Sequence, residues 1–162
     1  MSRAPAFEAK VVAPADLPTR LASVARPLVF TNGVFDVLHR GHATYLAQAR
    51  AEGAALIVAV NSDSSVRRLG KGDDRPINAL EDRMALLAAL ESVSLVTWFE
   101  QDTPLELVLA TRPDVLVKGG DWKPEAIVGG VQVRGWGGRV LSIAFEHQRS
   151  TTTLLERIRN GG

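Results

Sequence analysis

The sequence predicts an α/β fold, a single domain in which helices cover both faces of a doubly wound, parallel, five-stranded sheet. Five short runs, most of them continuously apolar, predict the strands. Amphipathic stretches with helical spacing separate these runs. Apolar strands that alternate with helices are typical of a parallel sheet buried on both faces. We expect the strands at 27–32, 55–60, 94–99, 114–118 and 139–145.

The helices follow from apolar residues that recur every three or four positions. In the clearest case, Leu80, Met84, Leu87 and Leu90 form one apolar face. Right-handed crossovers between parallel strands then make the fold Rossmann-like. We expect helices at 41–52, 79–91, 104–111 and 151–159, and a short helical segment within 124–136.

The first 26 residues predict an addition to the main domain. Residues 1–13 have no clear periodicity, so we expect a loose arm. Asp16 is a candidate cap for a short helix that continues to Arg26, with Pro18 in its first turn. The main domain then comprises residues 27–162.

Composition excludes several classes of protein. The chain has 162 residues, enough for one domain with its own core. It contains no cysteine, which excludes disulfides, thiolate metal sites and a cysteine nucleophile. A net charge of +1 gives no general attraction to nucleic acid or membrane surfaces. The N-terminus lacks a continuous apolar segment, and no apolar run is long enough to cross a bilayer. We therefore expect a cytoplasmic protein.

Polar residues follow every predicted strand. The carboxyl ends of parallel strands lie at one edge of the sheet, where ligands bind in this class of fold. We therefore expect these loops to line one pocket. They comprise residues 31–36, 61–68, 100–103, 118–122 and 146–150.

The loop at 31–42, with the sequence TNGVFDVLHRGH, is the strongest candidate for chemistry. It leads from a strand into a helix, which is an arrangement that directs backbone N–H groups towards phosphate. His39 and His42 lie where the loop becomes helical, and Gly41 allows a ligand to approach the backbone closely.

This loop admits three other interpretations. Asn32 and Gly33 could form a hairpin turn, but the residues that follow are helical in pattern. Asp36, His39 and His42 could bind zinc, but no cysteine and no fourth ligand lie nearby. The histidines could also be structural, although two of the chain's three histidines occur in this one loop.

The loop after the second strand contains Asn61 and Asp63 and continues to a charged segment. Gly70 and Gly72 flank Lys71, which suggests a mobile flap that closes a cation over a polyphosphate. Most of the charged residues in this segment could instead form a solvated surface loop. Lys71 and Arg75 are the two that we expect to bind a ligand. Arg83, on the following helix, is either a surface charge or a partner in an i,i+4 pair.

Two later segments are also candidates for binding. In 118–122, the glycines allow the backbone to approach a flat ligand closely. Trp122 could cover a base, and Asp121 could accept hydrogen bonds. The alternative is a simple glycine turn. In 149–153, Arg149 precedes four hydroxyl residues, of which Ser150 or Thr151 is a natural N-cap. This cluster would also suit an anion. By contrast, we interpret Asp102, Thr103 and Pro104 as a structural helix start.

These motifs resemble the nucleotidyltransferase superfamily that carries the HxGH signature. The matching residues are His39, Gly41 and His42, after Thr31, Asn32, Gly33, Phe35 and Asp36. Within it, the chain resembles the adenylyltransferases that act on heptose 1-phosphate, from about Val29 to Ile158. The stretches that carry this resemblance are FTNGVFDVLHRGH, LIVAVNSDSSVRRLGKGDDRPIN, EDRMALLAALESV, DTPLELV, PDVLVKGGDW and the terminal STT helix.

The resemblance implies transfer of AMP from ATP to D-glycero-D-manno-heptose 1-phosphate, with release of pyrophosphate. It implies catalytic roles for His39, His42, Lys71 and Arg149. Mg²⁺ would travel with ATP, with few protein ligands and Asp36 as a helper. The nucleotide would contact Thr31, Asn32, Gly33, Phe35, Asp36, Gly41, Lys118, Gly119, Asp121, Trp122, Ser150, Thr151 and Thr152, and the acceptor would contact Asn61, Asp63, Arg75 and Arg83.

The chain departs from the family in two respects. Val34 stands where the family often has cysteine, and no sugar kinase is fused to the domain, so the kinase step would belong to a separate protein. Relatives suggest a homodimer, and the product would enter lipopolysaccharide or a related glycan. The alternatives are an enzyme that resembles glycerol-3-phosphate cytidylyltransferase and a nucleotide sensor without turnover.

Overall fold

The computed structural model describes residues 3–147 and 150–161, which form a five-stranded parallel sheet covered by helices. The order of the strands is β3-β2-β1-β4-β5, so the sheet is doubly wound as the sequence predicts. All four pairs of neighbouring strands are parallel. The strands are β1 Leu28–Gly33, β2 Ala55–Asn61, β3 Leu95–Phe99, β4 Val115–Gly119 and β5 Arg139–Ile143.

The helices occupy most of the predicted positions. Those at 41–52, 79–91, 104–111 and 151–159 are confirmed to within three residues at each end, and a 3₁₀ turn and a short helix lie within 124–136. The helices are α1 Leu17–Leu21, α2 Arg40–Ala51, α3 Asp63–Arg68, α4 Leu80–Ala88, α5 Leu105–Thr111, α6 Gly130–Gly135 and α7 Thr151–Arg159.

Residues of each strand alternate between two apolar layers, one on each face of the sheet. In β1, Phe30 packs into one layer and Val29 into the other, and both are fully buried. In β2, Ile57 and Val58 divide in the same way. Burial on both faces explains why the strand sequences are continuously apolar.

The N-terminal segment differs from the prediction of a loose arm. Residues Ala6–Lys10 form a 3₁₀ helix, and the backbone N–H of Val12 donates to the carbonyl of Val96 at 2.8 Å. The isolated pairing of Val11 with Val96 extends the edge of the sheet beside β3. Leu17 is fully buried in one apolar layer. These contacts depend on residues distant in sequence, so local periodicity could not reveal them.

Helix α1 is shorter than predicted, and Asp16 occupies its N-cap position without a side-chain capping bond. Asp16 also belongs to a 3₁₀ turn. The helix ends at Leu21 rather than Arg26. Arg26 instead reaches the connection before β4, where its guanidinium bonds the carboxylate of Asp114 at 3.0 Å. This long-range bond competes with continuation of the helix.

Two further local predictions have different outcomes. Ser150 is confirmed as the N-cap of α7, because its hydroxyl accepts the N–H of Thr153 at 3.0 Å. The prediction that Asp102 or Thr103 caps α5 is wrong, since Pro104 occupies the N-cap position without a side-chain bond. Asp102 binds Arg68 instead, at 2.7 Å.

Arg83 connects the loops that end the first two strands. Its guanidinium donates to the carbonyls of Val34 and Asn61 at 2.9 and 2.8 Å, and to that of Asn78 at 3.0 Å. It also pairs with the carboxylate of Asp63 at 2.7 Å. The side chain is 0% exposed, so Arg83 is neither a surface charge nor an i,i+4 partner. It is a structural centre for the carboxyl edge of the sheet.

Replacing Arg83 by Met, which keeps much of the stem and removes the donors, should lower the free energy of unfolding by roughly 3–5 kcal/mol. The reason is that three carbonyls and the partly exposed carboxylate of Asp63 lose a donor that is itself fully buried. Urea unfolding would measure the change. Arg134→Met, at an exposed position of α6, is the matched control and should change stability by less than about 0.5 kcal/mol. Equal stability of the two variants would contradict this role of Arg83.

Candidate active site

A cavity of about 1010 Å³ opens at the carboxyl ends of β1, β4 and β5. It lies where the order of the strands reverses between β1 and β4, which is the expected position for a ligand in this fold. The wall contains most of the predicted site: Asn32, Gly33, Phe35, Asp36, His39, His42, Lys71, Arg75, Lys118, Gly119, Asp121, Trp122, Ser150, Thr151 and Thr152.

His39 and His42 form the start of α2. His39 is the N-cap residue, and its Nδ1 accepts the N–H of Gly41 at 3.1 Å. The Nδ1 of His42 accepts the N–H of His39 at 3.4 Å. The two rings stack with 3.9 Å between their centroids. Because both Nδ1 atoms accept hydrogen bonds, the proton of each neutral ring is on Nε2.

His42 is neutral at pH 7 in the free protein. Burial lowers its pKa to about 4, and the adjacent His39 contributes to the same shift, because positive charge on one ring disfavours positive charge on the other. The ring is enclosed by aromatic side chains, with Phe35 at 5.4 Å and Phe145 at 6.4 Å between centroids. A neutral, oriented imidazole is a hydrogen-bond donor rather than a fixed charge.

Lys71, Arg75 and Lys118 are cations in the wall of this cavity. Desolvation lowers the pKa of Lys71, and the positive charge of Arg75 lowers it further against the opposing effect of Asp36. Desolvation also lowers the pKa of Lys118, followed by repulsion from Lys71. The Lys118 ammonium lies 5.6 Å from the centre of the Trp122 ring. A bound polyanion would relieve the repulsion among these groups.

Asp36 fixes the segment that carries Arg75. Its carboxylate accepts the Arg75 Nε–H at 2.6 Å and the backbone N–H groups of Ile77 and Asn78 at 2.9 Å. Burial would raise the pKa of Asp36, but hydrogen bonds from Asn78, Ile77 and Arg75, together with the Arg75 charge, lower it overall. Asp36 is 1% exposed and its oxygens are engaged within the protein. Its position indicates a structural role beside the cavity.

Close packing explains why glycine is required at positions 33 and 41. A Cβ on Gly33 would lie 2.9 Å from the ring of Phe35, whose own φ of 51° is in the left-handed region. A Cβ on Gly41 would lie 2.8 Å from the carbonyl oxygen of His147 and 2.8 Å from the ring of His39. Gly41 is therefore required for contact between α2 and the loop after β5, and it does not line the cavity.

The N-terminus of α7 lies beside the loop that follows β1. The hydroxyl of Thr151 donates to the carbonyl of Val37 at 3.4 Å. Ser150 to Thr153 line the cavity, with Ser150 also bonded to the Thr153 hydroxyl at 2.8 Å. These hydroxyls and the helix N-terminus offer donors to an anion. Arg149, the fourth predicted catalytic residue, lies outside the described residues.

Besides Gly41, four predicted residues among those described do not line the large cavity: Thr31, Asn61, Asp63 and Arg83. Thr31 is buried and shares a 2.6 Å hydrogen bond with Tyr45. Asp63 pairs with Arg83, so each is engaged within the protein, and their contact with a substrate stays a prediction. Asn61 lines a second, adjoining cavity of about 210 Å³.

Two aromatic residues of the wall, Tyr45 and Phe145, were not predicted. His147 and Thr153 also line the wall and lie in the predicted segments 146–150 and 149–153, although neither was named as a site residue. Tyr45 is buried, which raises its pKa, and its ring lies 5.3 Å from that of Phe145. His147, the third histidine of the chain, belongs to the polar loop after the last strand, so its position was a usable signal. No sequence pattern identifies Tyr45, which is simply one more residue on the buried face of α2.

Within 3–147 and 150–161, no group of three or more His, Cys, Asp or Glu residues is arranged to hold a metal ion. The same ranges contain no helix that is both long and apolar enough to cross a membrane.

Comparison with known proteins gives a consistent result. The sequence model of the cytidylyltransferase-like family matches residues 30–154. The chain is 56% identical to D-beta-D-heptose 1-phosphate adenylyltransferase of Bordetella bronchiseptica, over 96% of this chain and 97% of that protein. It is also 56% identical to the bifunctional protein HldE of Shigella sonnei, over 81% of this chain, but it spans only 27% of that protein.

Solved structures share the fold. The lipopolysaccharide core biosynthesis protein of Thermoplasma volcanium is 30% identical, with a TM-score of 0.61 over 75% of this chain and 98% of that one. Pantothenate synthetase of Thermus thermophilus, at 20% identity, has a TM-score of 0.58 over 83% of this chain and 61% of that one. The second likeness concerns the fold alone.

The titration of His42 provides a direct test of the site's electrostatics. In the free protein its ring should stay neutral down to about pH 4 and gain a proton below that value. Saturation with pyrophosphate should raise this pKa, because negative charge stabilises the imidazolium form. NMR of the ring protons would measure both values, with His42→Asn to assign the signal. An unperturbed titration near pH 6.5 would contradict the geometry.

The same shift has a consequence for stability. Between pH 6.5 and about 4 the unfolded chain binds a proton at this position and the folded chain does not. The free energy of unfolding should therefore fall as the pH is lowered through this window, and it should fall less in His42→Asn. Urea unfolding at several pH values would measure the difference.

Proposed function

Since the chain belongs to the cytidylyltransferase-like family, we propose that it transfers AMP from ATP to D-glycero-D-manno-heptose 1-phosphate and releases pyrophosphate. The name of the relative at 56% identity over nearly the whole chain supports this substrate pair. The geometry that carries the proposal is one cavity that joins two stacked histidines, a group of cations and a helix N-terminus rich in hydroxyls.

The reaction forms one phosphorus–oxygen bond and breaks another. An oxygen of the acceptor phosphate attacks the α-phosphorus of ATP, and the bond from that phosphorus to the oxygen shared with the β-phosphate breaks. The second pKa of a phosphate monoester is about 6, so the nucleophile is already largely ionised at neutral pH. No side chain has to remove a proton. The barrier arises mainly from charge, since a dianion must approach a polyanion.

The cations of the cavity would reduce this repulsion between the two anionic substrates. We assign Lys71 and Lys118 to the phosphates, because both line the cavity and desolvation disfavours their charge until an anion arrives. Arg75 is held by Asp36 at the same wall. Hydroxyls of Ser150 to Thr152 would bind the outgoing pyrophosphate at the start of α7. Arg149 stays a predicted contributor.

His42 would donate its Nε2–H to an oxygen of the α-phosphate. That oxygen gains negative charge in the transition state, so the hydrogen bond strengthens as the reaction proceeds. The backbone N–H of His39, which donates to Nδ1 of His42, holds the His42 ring in the required tautomer before substrate binds. His39 would support this orientation through the stacked contact and contribute to binding of the triphosphate.

Mg²⁺ would enter as part of the substrate, bound by phosphate oxygens and water. The carboxylate of Asp36 supports this view, because it is already engaged by Arg75, Ile77 and Asn78. Asp36 is therefore better suited to positioning Arg75 than to assisting with a metal. The homodimer, the cytoplasmic location, the separate kinase and the use of the product in lipopolysaccharide stay predictions.

The activity test is pyrophosphate release from ATP and from CTP, each with heptose 1-phosphate of both anomers and with glycerol 3-phosphate, in the presence of Mg²⁺. We expect release with ATP and one heptose phosphate only. Activity with CTP and glycerol 3-phosphate would identify the alternative enzyme. ATP binding without release from any pair would identify a nucleotide sensor.

His42→Ala should lower kcat by at least about 10², because a donor to the developing charge is lost. Circular dichroism and thermal unfolding would show that the variant is folded. Thr44→Ala in the same helix is a matched control, since Thr44 does not line the cavity. A folded His42→Ala enzyme with unchanged kcat would refute the assigned role.

A further inference from the structure

The cavity of about 210 Å³ lies beside the large one and shares part of its wall. The shared residues come from the ends of β1 and β4, from the loops that follow these strands and from the segment after α3. They are Asn32, Gly33, Val34, Lys71, Lys118 and Trp122. A molecule bound across this boundary would therefore have one end in each cavity and its centre near the two lysines.

The rest of the small cavity combines polar groups with an apolar surface. Asn61, at the end of β2, provides an amide, and Asp102 and Thr103, in the loop after β3, provide a carboxylate and a hydroxyl. Ile127 and Val128 face them from the segment after β4. A sugar has the matching character, with hydroxyls around its edge and C–H groups on its faces. The volume is about a fifth of that of the large cavity, which is small for a nucleotide.

We propose that the small cavity binds the sugar of the acceptor, and that Asp102 and Thr103 determine its specificity. The proposal rests on the function proposed above. The acceptor phosphate would lie at the shared wall beside Lys71 and Lys118, within reach of ATP in the large cavity. The sugar would extend towards β3, where the carboxylate of Asp102 accepts hydrogen bonds from hydroxyls and Thr103 both donates and accepts.

Residues of α3 hold this loop in place before a ligand arrives. The Arg68 Nε–H donates to the carboxylate of Asp102 at 2.7 Å, and its Nη2 donates to the carbonyl of Glu100. The hydroxyl of Ser65 donates to the carbonyl of Gln101 at 2.8 Å. Asp102 has a side chain that is 75% exposed, although it is fixed by Arg68. A carboxylate that is fixed in position and accessible to solvent can accept hydrogen bonds from the hydroxyls of a sugar.

This arrangement also predicts which acceptors bind poorly. A sugar phosphate can contact Asp102 and Thr103 while its phosphate remains at the lysines. A short acceptor such as glycerol 3-phosphate has fewer hydroxyls and carbon atoms to fill the space. Substitutions at these two positions should therefore affect sugar phosphates strongly and short acceptors weakly.

The test compares Asp102→Asn and Thr103→Val with Glu100→Gln in steady-state assays of ATP and heptose 1-phosphate. Glu100 is on the same loop and outside both cavities, so it controls for the loss of charge. Each of the first two variants should raise KM for heptose 1-phosphate by about tenfold or more, the effect of one lost hydrogen bond to a charged or well-placed group. KM for ATP should stay within about twofold of the wild-type value, because ATP occupies the other cavity.

Binding measured by calorimetry separates specificity from stability. Loss of the exposed pair with Arg68 should have little effect on folding, and Thr103→Val leaves that pair intact. Both variants should weaken binding of heptose 1-phosphate to the free enzyme and leave binding of pyrophosphate unchanged. A parallel loss for both ligands would overturn the proposal, because it would indicate general damage to the site.

The outcomes distinguish this inference from the function on which it rests. If the wild type uses heptose 1-phosphate and both variants keep its KM, the acceptor subsite is wrong and the proposed function stands. If the wild type neither binds nor uses heptose 1-phosphate, both proposals are overturned. A selective rise in KM for the sugar phosphate, absent from Glu100→Gln, would support the subsite.

Discussion

The geometry of the site depends on one buried cation, Arg83. Its guanidinium holds the carbonyl after β1, the carbonyl at the end of β2, the first carboxylate of α3 and the carbonyl that precedes α4. A fully buried arginine is unfavourable unless its donors are satisfied, so these four acceptors and the cation require one another. The loops at the carboxyl edge of the sheet are thereby held at fixed positions relative to the core.

A second polar centre extends this support to the flap. Asp36 accepts hydrogen bonds from Arg75, Ile77 and Asn78, and Asn78 in turn offers its carbonyl to Arg83. The two centres therefore form one connected network between the loop after β1 and the segment that enters α4. Buried networks of this kind are stable only when every member has a partner. The network explains how a glycine-flanked segment can still present Arg75 at a defined wall of the cavity.

The cavity between these loops has cations and hydrogen-bond donors that suit a negatively charged ligand. His42 is held neutral by burial and by its neighbour His39, while Lys71 and Lys118 repel each other. Each of these effects weakens when a polyanion enters, so substrate binding and relief of repulsion are coupled. Electrostatic preparation of this type suits a reaction in which charge on phosphate oxygens, rather than proton removal, sets the barrier.

The sequence by itself determined the fold class, the strands and most of the helices, because burial on both faces and helical periodicity are local properties. It also identified the loop of His39 and His42 and the flap residues Lys71 and Arg75 as candidates, since unusual polar residues at strand ends carry their own signal. Only the tertiary structure decided the contacts of Arg83, Asp36 and Asp102. Charged residues look alike in sequence, and whether one is buried, paired or accessible depends on groups about 20 to 40 positions away. The positions of Tyr45 and Phe145 in the site also depend on tertiary packing. Aromatic residues are typical of any core, and only packing brings these two beside His42 and Gly119.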